Sequence, residues 1–157
     1  MAEKVTVRRS LLDRLIERET DAADGPAQSP YAAVNEIRGA VIRDLENLLN
    51  TRRNILDLPE SFTQVHGSLF TYGLKDFMSY NSGSASVRLQ IRQEIERTIA
   101  LFEPRLRNVT IRLDGTDRNE RTLRFRISAL LVADPVTEPI AFDTYLDINR
   151  GEFQISG

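Results

Sequence analysis

The chain has 157 residues, of which 41% are hydrophobic and 28% charged, and its net charge is -2. These values are typical of one compact domain, exclude a mainly disordered or collagen-like chain, and give no reason to expect a nucleic-acid partner. The absence of cysteine excludes disulfides and thiolate metal sites. Since no apolar run could span a membrane and none follows Met1 as a signal-peptide core, we expect a cytoplasmic protein without direct membrane contact.

The first predicted element is an amphipathic helix near the N-terminus. Ser10 is its candidate N-cap, and the apolar residues that follow are Leu11, Leu12, Leu15 and Ile16. Residues 20–30 are small, acidic or helix-breaking, which is typical of a flexible linker. We therefore predict an N-terminal segment and linker at residues 1–30 and a folded domain at residues 31–157. The segment either folds back on that domain or docks on a partner.

A longer helix is predicted from Tyr31 to Arg53, because its apolar residues step by three and four positions. These residues are Val34, Ile37, Val41, Leu45, Leu48 and Leu49. Arg52 and Arg53 stand at its end, where cations complement the helix dipole. Alternatively, the two arginines form a contact surface for carboxylates.

Residues 54–81 show weak periodicity, so we expect short helical turns that fold over the core. Pro59, Gly67 and Gly73 interrupt this stretch. His66 is the only histidine, and no carboxylate stands near it at a recognised spacing. We therefore predict neither a metal-binding nor a catalytic role for His66.

The next helix is expected from about Ser86 to Phe102, with one apolar stripe along it. The stripe consists of Val87, Ile91, Ile95, Ile99 and Phe102. Pro104 ends the helix, which puts Glu103 at the helix end where a negative charge is unfavourable. Arg105 is its candidate partner across the proline. The pair is either a solvated surface corner or a rigid pair of charges presented to another protein.

After this helix the pattern changes to period 2, which predicts antiparallel strands. The expected strands are residues 108–113, residues 122–131, residues 140–148 and a short last strand at Phe153-Gln154-Ile155. Thr144-Tyr145 interrupts the alternation of the third strand, so a bulge is expected there. Asp134-Pro135 and Glu138-Pro139 bracket the preceding turn. The predicted fold class is α+β, with helices packed against a small antiparallel β-meander.

The short last strand lies at an edge of the predicted sheet. Unpaired backbone groups at Phe153, Gln154 and Ile155 could accept a strand from another chain. Alternatively, a loop or helix covers that edge.

Acidic residues could supply the two carboxylates that cleave a glycosidic bond. The candidates are Glu103, Asp114, Asp117, Glu138, Asp143 and Asp147. A chance pairing is expected among so many carboxylates, and the sequence contains no nucleophile elbow, P-loop, dinucleotide fingerprint or zinc-helix motif. We therefore predict no catalytic residue, no metal site and no cofactor.

Four segments, in order along the chain, resemble the TssE family of type VI secretion baseplate proteins, which are related to a phage baseplate wedge protein once called lysozyme-like. These segments are Ser10-Leu11-Leu12-Asp13-Arg14-Leu15, residues 44–53, residues 68–76 with Tyr72-Gly73-Leu74, and Phe102-Glu103-Pro104-Arg105-Leu106. The resemblance extends over nearly the whole chain.

The resemblance implies a non-enzymatic structural role in the cytoplasm, at a baseplate docked on the inner-membrane complex. The implied partners are the wedge proteins TssF, TssG and TssK and the sheath proteins TssB and TssC. A sheet edge would initiate sheath polymerisation by strand exchange.

The same resemblance assigns contacts to two segments. Glu103-Pro104-Arg105 matches a family motif that contacts the wedge core, and Leu11-Leu12-Asp13-Arg14-Leu15 matches an N-terminal motif whose partner here stays open. The alternative function is a peptidoglycan-cleaving, lysozyme-like hydrolase, for which the residues supply no convincing acid and nucleophile.

Overall fold

The computed structural model describes Leu15 and residues 30–56, 58–77, 84–114, 122–133, 136–147 and 149–157. Only the backbone is described at residues 30–33, 133 and 136. The predicted N-terminal helix and linker, apart from Leu15, therefore lie outside the described residues. The same holds for Asp134-Pro135 and for Asp117.

Within the described residues from 30 onwards, two α-helices precede the sheet. Helix α1 is Pro30–Asn50 and helix α2 is Ala85–Phe102. Between them lie two short 3₁₀ helices, η1 at Val65–Gly67 and η2 at Leu69–Thr71, which confirm the expected helical turns. Helix α1 ends before the predicted Arg53, because Arg52 and Arg53 turn to form a parallel bridge with Leu74.

Arg52 and Arg53 both bond within the domain. Nη2 of Arg52 donates to the carbonyl oxygen of Gly151 at 2.8 Å. Nη1 of Arg53 lies 3.0 Å from Oε1 of Glu94, an ion pair without the alignment of a hydrogen bond. The two arginines therefore tie the end of α1 to the last turn of the sheet and to α2.

Helix α2 ends where the sequence predicts, but no side chain caps its first turn. Ser84 occupies the N-cap position, and its hydroxyl forms no capping hydrogen bond but lies 2.8 Å from the hydroxyl of Ser86. At the other end, Phe102 is the last helical residue, as Pro104 predicts. The N–H of Glu103 still donates to the carbonyl oxygen of Ile99 at 2.9 Å.

Four antiparallel strands follow the helices and confirm the α+β meander. They are β1, Leu106–Leu113; β2, Thr122–Ala133; β3, Val136–Asp147; and β4, Glu152–Ser156. Their order in the sheet is β1-β2-β3-β4, so each strand pairs with its neighbour in sequence. Short connections suffice for this arrangement.

The predicted bulge at Thr144-Tyr145 is wrong. These residues lie opposite Phe125 and Arg124 in an unbroken β2–β3 register. Thr144 is polar but buried, so it occupies the inward position that the sequence pattern reserved for an apolar residue. The irregularity lies instead in β1, where the register shifts between Arg107 and Thr110 and Asn108 has a φ of 54°.

The predicted turn at Glu138-Pro139 is also wrong, because both residues belong to β3. Pro139 lies opposite Leu130 of β2. On its other side, β4 pairs only with residues 143–147 of β3, so no described strand needs the N–H that Pro139 lacks. This edge position is one where proline is tolerated.

The core lies between the two helices and the inner face of the sheet. Its fully buried members include Val41, Leu45 and Leu49 of α1, Ile95 and Ile99 of α2, and Phe125, Ile127 and Phe142 of the sheet. The predicted apolar stripes of both helices are thereby confirmed as the packing faces. Each such side chain stabilises the fold by about 1.5–3 kcal/mol through its burial.

Gly73 allows the connector between the helices to close onto the end of α1. The N–H of Leu74 donates to the carbonyl oxygen of Thr51 at 2.9 Å. Gly73 has a φ of +100°, and a Cβ there would lie 2.4 Å from that same oxygen. Only glycine fits this backbone conformation and this close approach.

We expect Gly73→Ala to lower the free energy of unfolding by about 2 kcal/mol or more, because it adds both backbone strain and a clash. Gly67→Ala is the matched control, since nothing lies within 4 Å of a Cβ at Gly67. That control should stay within about 0.5 kcal/mol of the original chain. Chemical denaturation measures both values, and equal stability of the two variants would contradict this account of Gly73.

Candidate functional site

The corner between α2 and β1 places two charged side chains in the interior. Glu103 is 5% exposed and Arg105 is 6% exposed, whereas Pro104 between them faces solvent. The interpretation of this corner as a solvated surface salt bridge is therefore wrong. The reason is a third residue, Asp44 of α1, which the local spacing of Glu103 and Arg105 could not reveal.

Two carboxylates hold Arg105. Its Nε donates to Oε1 of Glu103 at 2.6 Å, and its Nη2 donates to Oε2 of Glu103 at 2.5 Å. The same Nη2 donates to Oδ2 of Asp44 at 2.6 Å. We call Asp44, Glu103 and Arg105 the corner cluster. Arg43 donates from Nη2 to Oδ1 of Asp44 at 3.0 Å, so two guanidinium groups balance two carboxylates.

The corner cluster perturbs the pKa of two groups. Burial by itself lowers the pKa of Arg105, but hydrogen bonds and charges from Glu103 and then Asp44 outweigh burial and raise it above its ordinary value. Burial raises the pKa of Tyr72, and the charges of Asp44 and Glu103 add to that effect. Tyr72 packs edge-on against Phe102, with ring centroids 5.2 Å apart. Both groups thus keep their protons at neutral pH.

The corner cluster joins three elements rather than offering its charges to solvent. Asp44 belongs to α1, Glu103 ends α2, and Arg105 precedes β1. The backbone carbonyl of Arg105 also accepts a hydrogen bond from the N–H of Val132 in β2 at 2.8 Å. Both carboxylate oxygens of Glu103 accept hydrogen bonds from Arg105, so neither is directed at a substrate. Of the predicted Glu103-Pro104-Arg105 motif, only Pro104 is presented at the surface.

Two of the other candidate carboxylates, Asp143 and Asp147, have partners of their own. Asp143 is on the exposed face of the sheet, 3.6 Å from Arg126 of β2. Asp147 accepts the backbone N–H groups of Asn149 and Arg150 in the β3–β4 turn. Within the part of the chain that the structure describes, no three histidine or acidic side chains converge as metal ligands. Nor does either described helix have the length and apolarity to cross a bilayer.

The edge of β4 is covered by side chains of α1. Oδ1 of Asn50 accepts the N–H of Phe153 at 2.7 Å, and Nδ2 of Asn50 donates to the carbonyl oxygen of Phe153 at 3.0 Å. Oε1 of Glu46 accepts the N–H of Ile155 at 2.9 Å. The predicted row of unpaired backbone groups is therefore wrong, and the alternative of a covering helix is confirmed. The side chain of Gln154, which lies between Phe153 and Ile155 in sequence, is exposed.

The opposite edge of the sheet has a similar contact. Oε1 of Glu96 on α2 accepts the N–H of Ile111 in β1 at 2.8 Å. Each outer strand therefore has at least one backbone N–H bound by a helix carboxylate instead of by another strand. Such contacts satisfy backbone donors that would otherwise attract a foreign strand.

Sequence reasoning missed Asp44, Glu46, Asn50 and Glu96. Glu46 and Asn50 stand one helical turn apart on the same side of α1, which is the only available signal of a shared contact. Of the N-terminal motif, Leu15 is 82% exposed. Leu11, Leu12, Asp13 and Arg14 lie outside the described residues.

We expect Arg105→Met to lower the free energy of unfolding by about 3–5 kcal/mol, because the buried Glu103 and the partly buried Asp44 would lose their shared donor. Arg107→Met is the matched control, since Arg107 lies two residues further along, in β1, and is exposed. The control should change stability by less than about 0.5 kcal/mol. Urea denaturation distinguishes them, and an unchanged midpoint for Arg105→Met would show that the corner cluster contributes nothing.

Comparison with known proteins identifies the domain. The family described as baseplate wedge protein gp25 matches residues 35–136, from α1 to the start of β3. A chain of a solved structure titled "The baseplate complex from the type VI secretion system" has a TM-score of 0.50 and 16% identity, covering 73% of this chain and 97% of that chain. At that identity the likeness shows the fold alone. No curated protein matches the sequence. The family match extends over more than half of the chain, so the protein belongs to the baseplate wedge protein gp25 family.

Proposed function

We propose that this chain is a non-enzymatic wedge component of a type VI secretion baseplate, acting in the cytoplasm at the inner-membrane complex. The observation that carries the proposal is the gp25 family match over residues 35–136. The similar fold of a chain in a type VI baseplate complex supports it. The proposed wedge partners are TssF, TssG and TssK, and the folded unit is residues 31–157.

The wedge contact is proposed to include the corner and the N-terminal motif. Pro104 is the exposed residue of the corner, while Glu103 and Arg105 fix its shape from inside. The motif therefore acts through a rigid surface, which loses little conformational entropy when a partner binds. The aliphatic side chain of Leu15 is exposed. It is proposed to become buried when the Leu11-Leu12-Asp13-Arg14-Leu15 motif binds a wedge subunit.

We expect Pro104→Lys and Leu15→Glu each to weaken binding of TssF, TssG or TssK about tenfold, ~1.4 kcal/mol, while the domain stays folded. Co-purification of the intact chain with co-expressed wedge subunits, followed by titration, measures the effect. Arg112→Ala is the control, because Arg112 is exposed on the sheet. Undiminished recovery of the wedge with both variants would refute these contacts.

The sheath contact is proposed to form at β4, with TssB and TssC as partners. Among the described residues, side chains of Glu46 and Asn50 occupy the outward backbone groups of Phe153 and Ile155. A strand of a sheath subunit would replace those bonds with a backbone ladder of the same number or more, so strand addition loses little hydrogen bonding. In this proposal α1 protects the edge until the sheath arrives, and sheath polymerisation then begins from β4.

We expect Ile155→Pro to prevent sheath assembly while wedge binding persists, because proline removes the outward N–H that an added strand would use. Ile155→Ala is the matched control, since it removes the same buried side chain but keeps the N–H. Fluorescence microscopy of labelled sheath in cells gives the readout. Normal sheaths with Ile155→Pro would rule out strand addition at β4.

The hydrolase alternative makes a different prediction from the structural one. Glu103 is the candidate acid at the junction of α2 and β1, but it is buried and bound to Arg105. Peptidoglycan release by the purified chain, lost in Glu103→Gln, would overturn the non-enzymatic proposal.

A further inference from the structure

The connector between the helices and the last turns of α2 enclose a groove of ≈ 200 Å³. Its apolar lining residues, which we call the floor, are Leu56, Leu58, Phe70, Leu101 and Phe102, and polar residues line the remainder. Two of these side chains remain well exposed, Leu56 at 67% and Leu101 at 47%. The surrounding connector exposes further large apolar side chains, namely Ile55, Phe62 and Leu69. Exposed large apolar side chains concentrated in one connector indicate an interaction site.

The charged side chains that line the groove, which we call its rim, are cationic among the described residues. They are Arg53, Lys75 and Arg97. Arg53 has an ion pair with Glu94, whereas Lys75 and Arg97 are exposed and have no ion pair within the described part of the chain. Lys75 and Arg97 can therefore form ion pairs with carboxylates of an incoming chain.

The combination of floor and rim restricts the class of occupant. A nucleic acid would satisfy Lys75 and Arg97 through phosphates, but it would leave the aliphatic floor unused. A protein segment with leucine-like side chains next to Asp or Glu satisfies both, as amphipathic segments do in apolar grooves. The chain's own N-terminal motif has this chemistry, but its described member, Leu15, is almost fully exposed rather than buried.

We propose that this groove binds an acidic, leucine-bearing segment of a protein partner. The groove shares no residue with the proposed contacts at Pro104, Leu15 or β4, so it constitutes an additional interaction surface. The apolar floor supplies the buried area, and Lys75 and Arg97 select for acidic flanks over basic ones.

Two labelled helical peptides test the selectivity on the full-length chain. They share the same leucine positions and carry either Glu or Lys between them. We expect the Glu peptide to bind, and the double variant Lys75→Glu/Arg97→Glu to weaken that binding about tenfold and favour the Lys peptide instead. Arg112→Glu, on the sheet, is the control and should leave the preference unchanged. Equal binding of both peptides, or an unaltered preference in the double variant, would overturn the proposal.

Photo-crosslinking tests the occupant. Leu56→p-benzoylphenylalanine in the full-length chain should form an adduct, in cells that produce its partners, with a Leu- and Asp/Glu-containing segment of another protein. Tyr145→p-benzoylphenylalanine on the sheet is the control. An adduct with the chain's own residues 10–19 or with a second copy of the chain would overturn the proposal. So would the absence of any adduct that the Tyr145 control does not also form. If the crosslinked segment is acidic and leucine-bearing but belongs to a protein outside the baseplate, the groove proposal is supported and the proposed baseplate function is not. The experiment therefore distinguishes failure of the groove proposal from failure of the baseplate proposal.

Discussion

A guanidinium group held between two carboxylates in the interior joins both helices to the start of the sheet. Arg105 contacts Glu103 at the end of α2 and Asp44 in the middle of α1, and its own backbone lies beside β2. Buried ion pairs of this kind add little stability relative to apolar packing, but each partner becomes costly to lose. The corner therefore depends on all three side chains, and the exposed face of Pro104 keeps its position only while they remain together.

The two helices also determine how the sheet meets other chains. Glu46 and Asn50 bind outward backbone groups of β4, and Glu96 binds one of β1. A sheet of four strands would otherwise present two edges for unintended pairing. Side-chain contacts are easier to exchange than a complete strand ladder, so a protected edge is compatible with later strand addition. The same backbone groups of β4 are therefore bound by α1 in the free chain and, in the proposal, by a strand of the sheath.

The proposed contacts occupy separate parts of the surface. The β4 edge offers backbone groups and the corner offers the ring of Pro104, whereas the groove beside Leu56 and Leu101 combines apolar and cationic side chains. Different chemistries at separate surfaces allow one small domain to distinguish several partners. Such separation suits a protein of the gp25 family, whose described role is that of a baseplate wedge.

The sequence by itself determined the two long helices, the meander and the packing faces, because these depend on short-range periodicity. The stripes Ile37 to Leu49 and Ile91 to Ile99 gave the helices, Pro104 gave the end of α2, and period 2 gave the meander. The order of four segments along the chain also gave the family. The bulge at Thr144-Tyr145 was predicted wrongly because the pattern treats a polar residue as exposed, whereas Thr144 is buried.

Only the tertiary structure decided where the charges lie. Asp44 is 61 positions from Arg105, and Glu46 is 109 positions from Ile155, so neither contact has a signature in local spacing. A carboxylate that would be solvated next to its sequence neighbours becomes a buried partner once α1 folds across the sheet. For the same reason the sequence could describe Glu103 and Arg105 as a pair but could not show that the pair is buried.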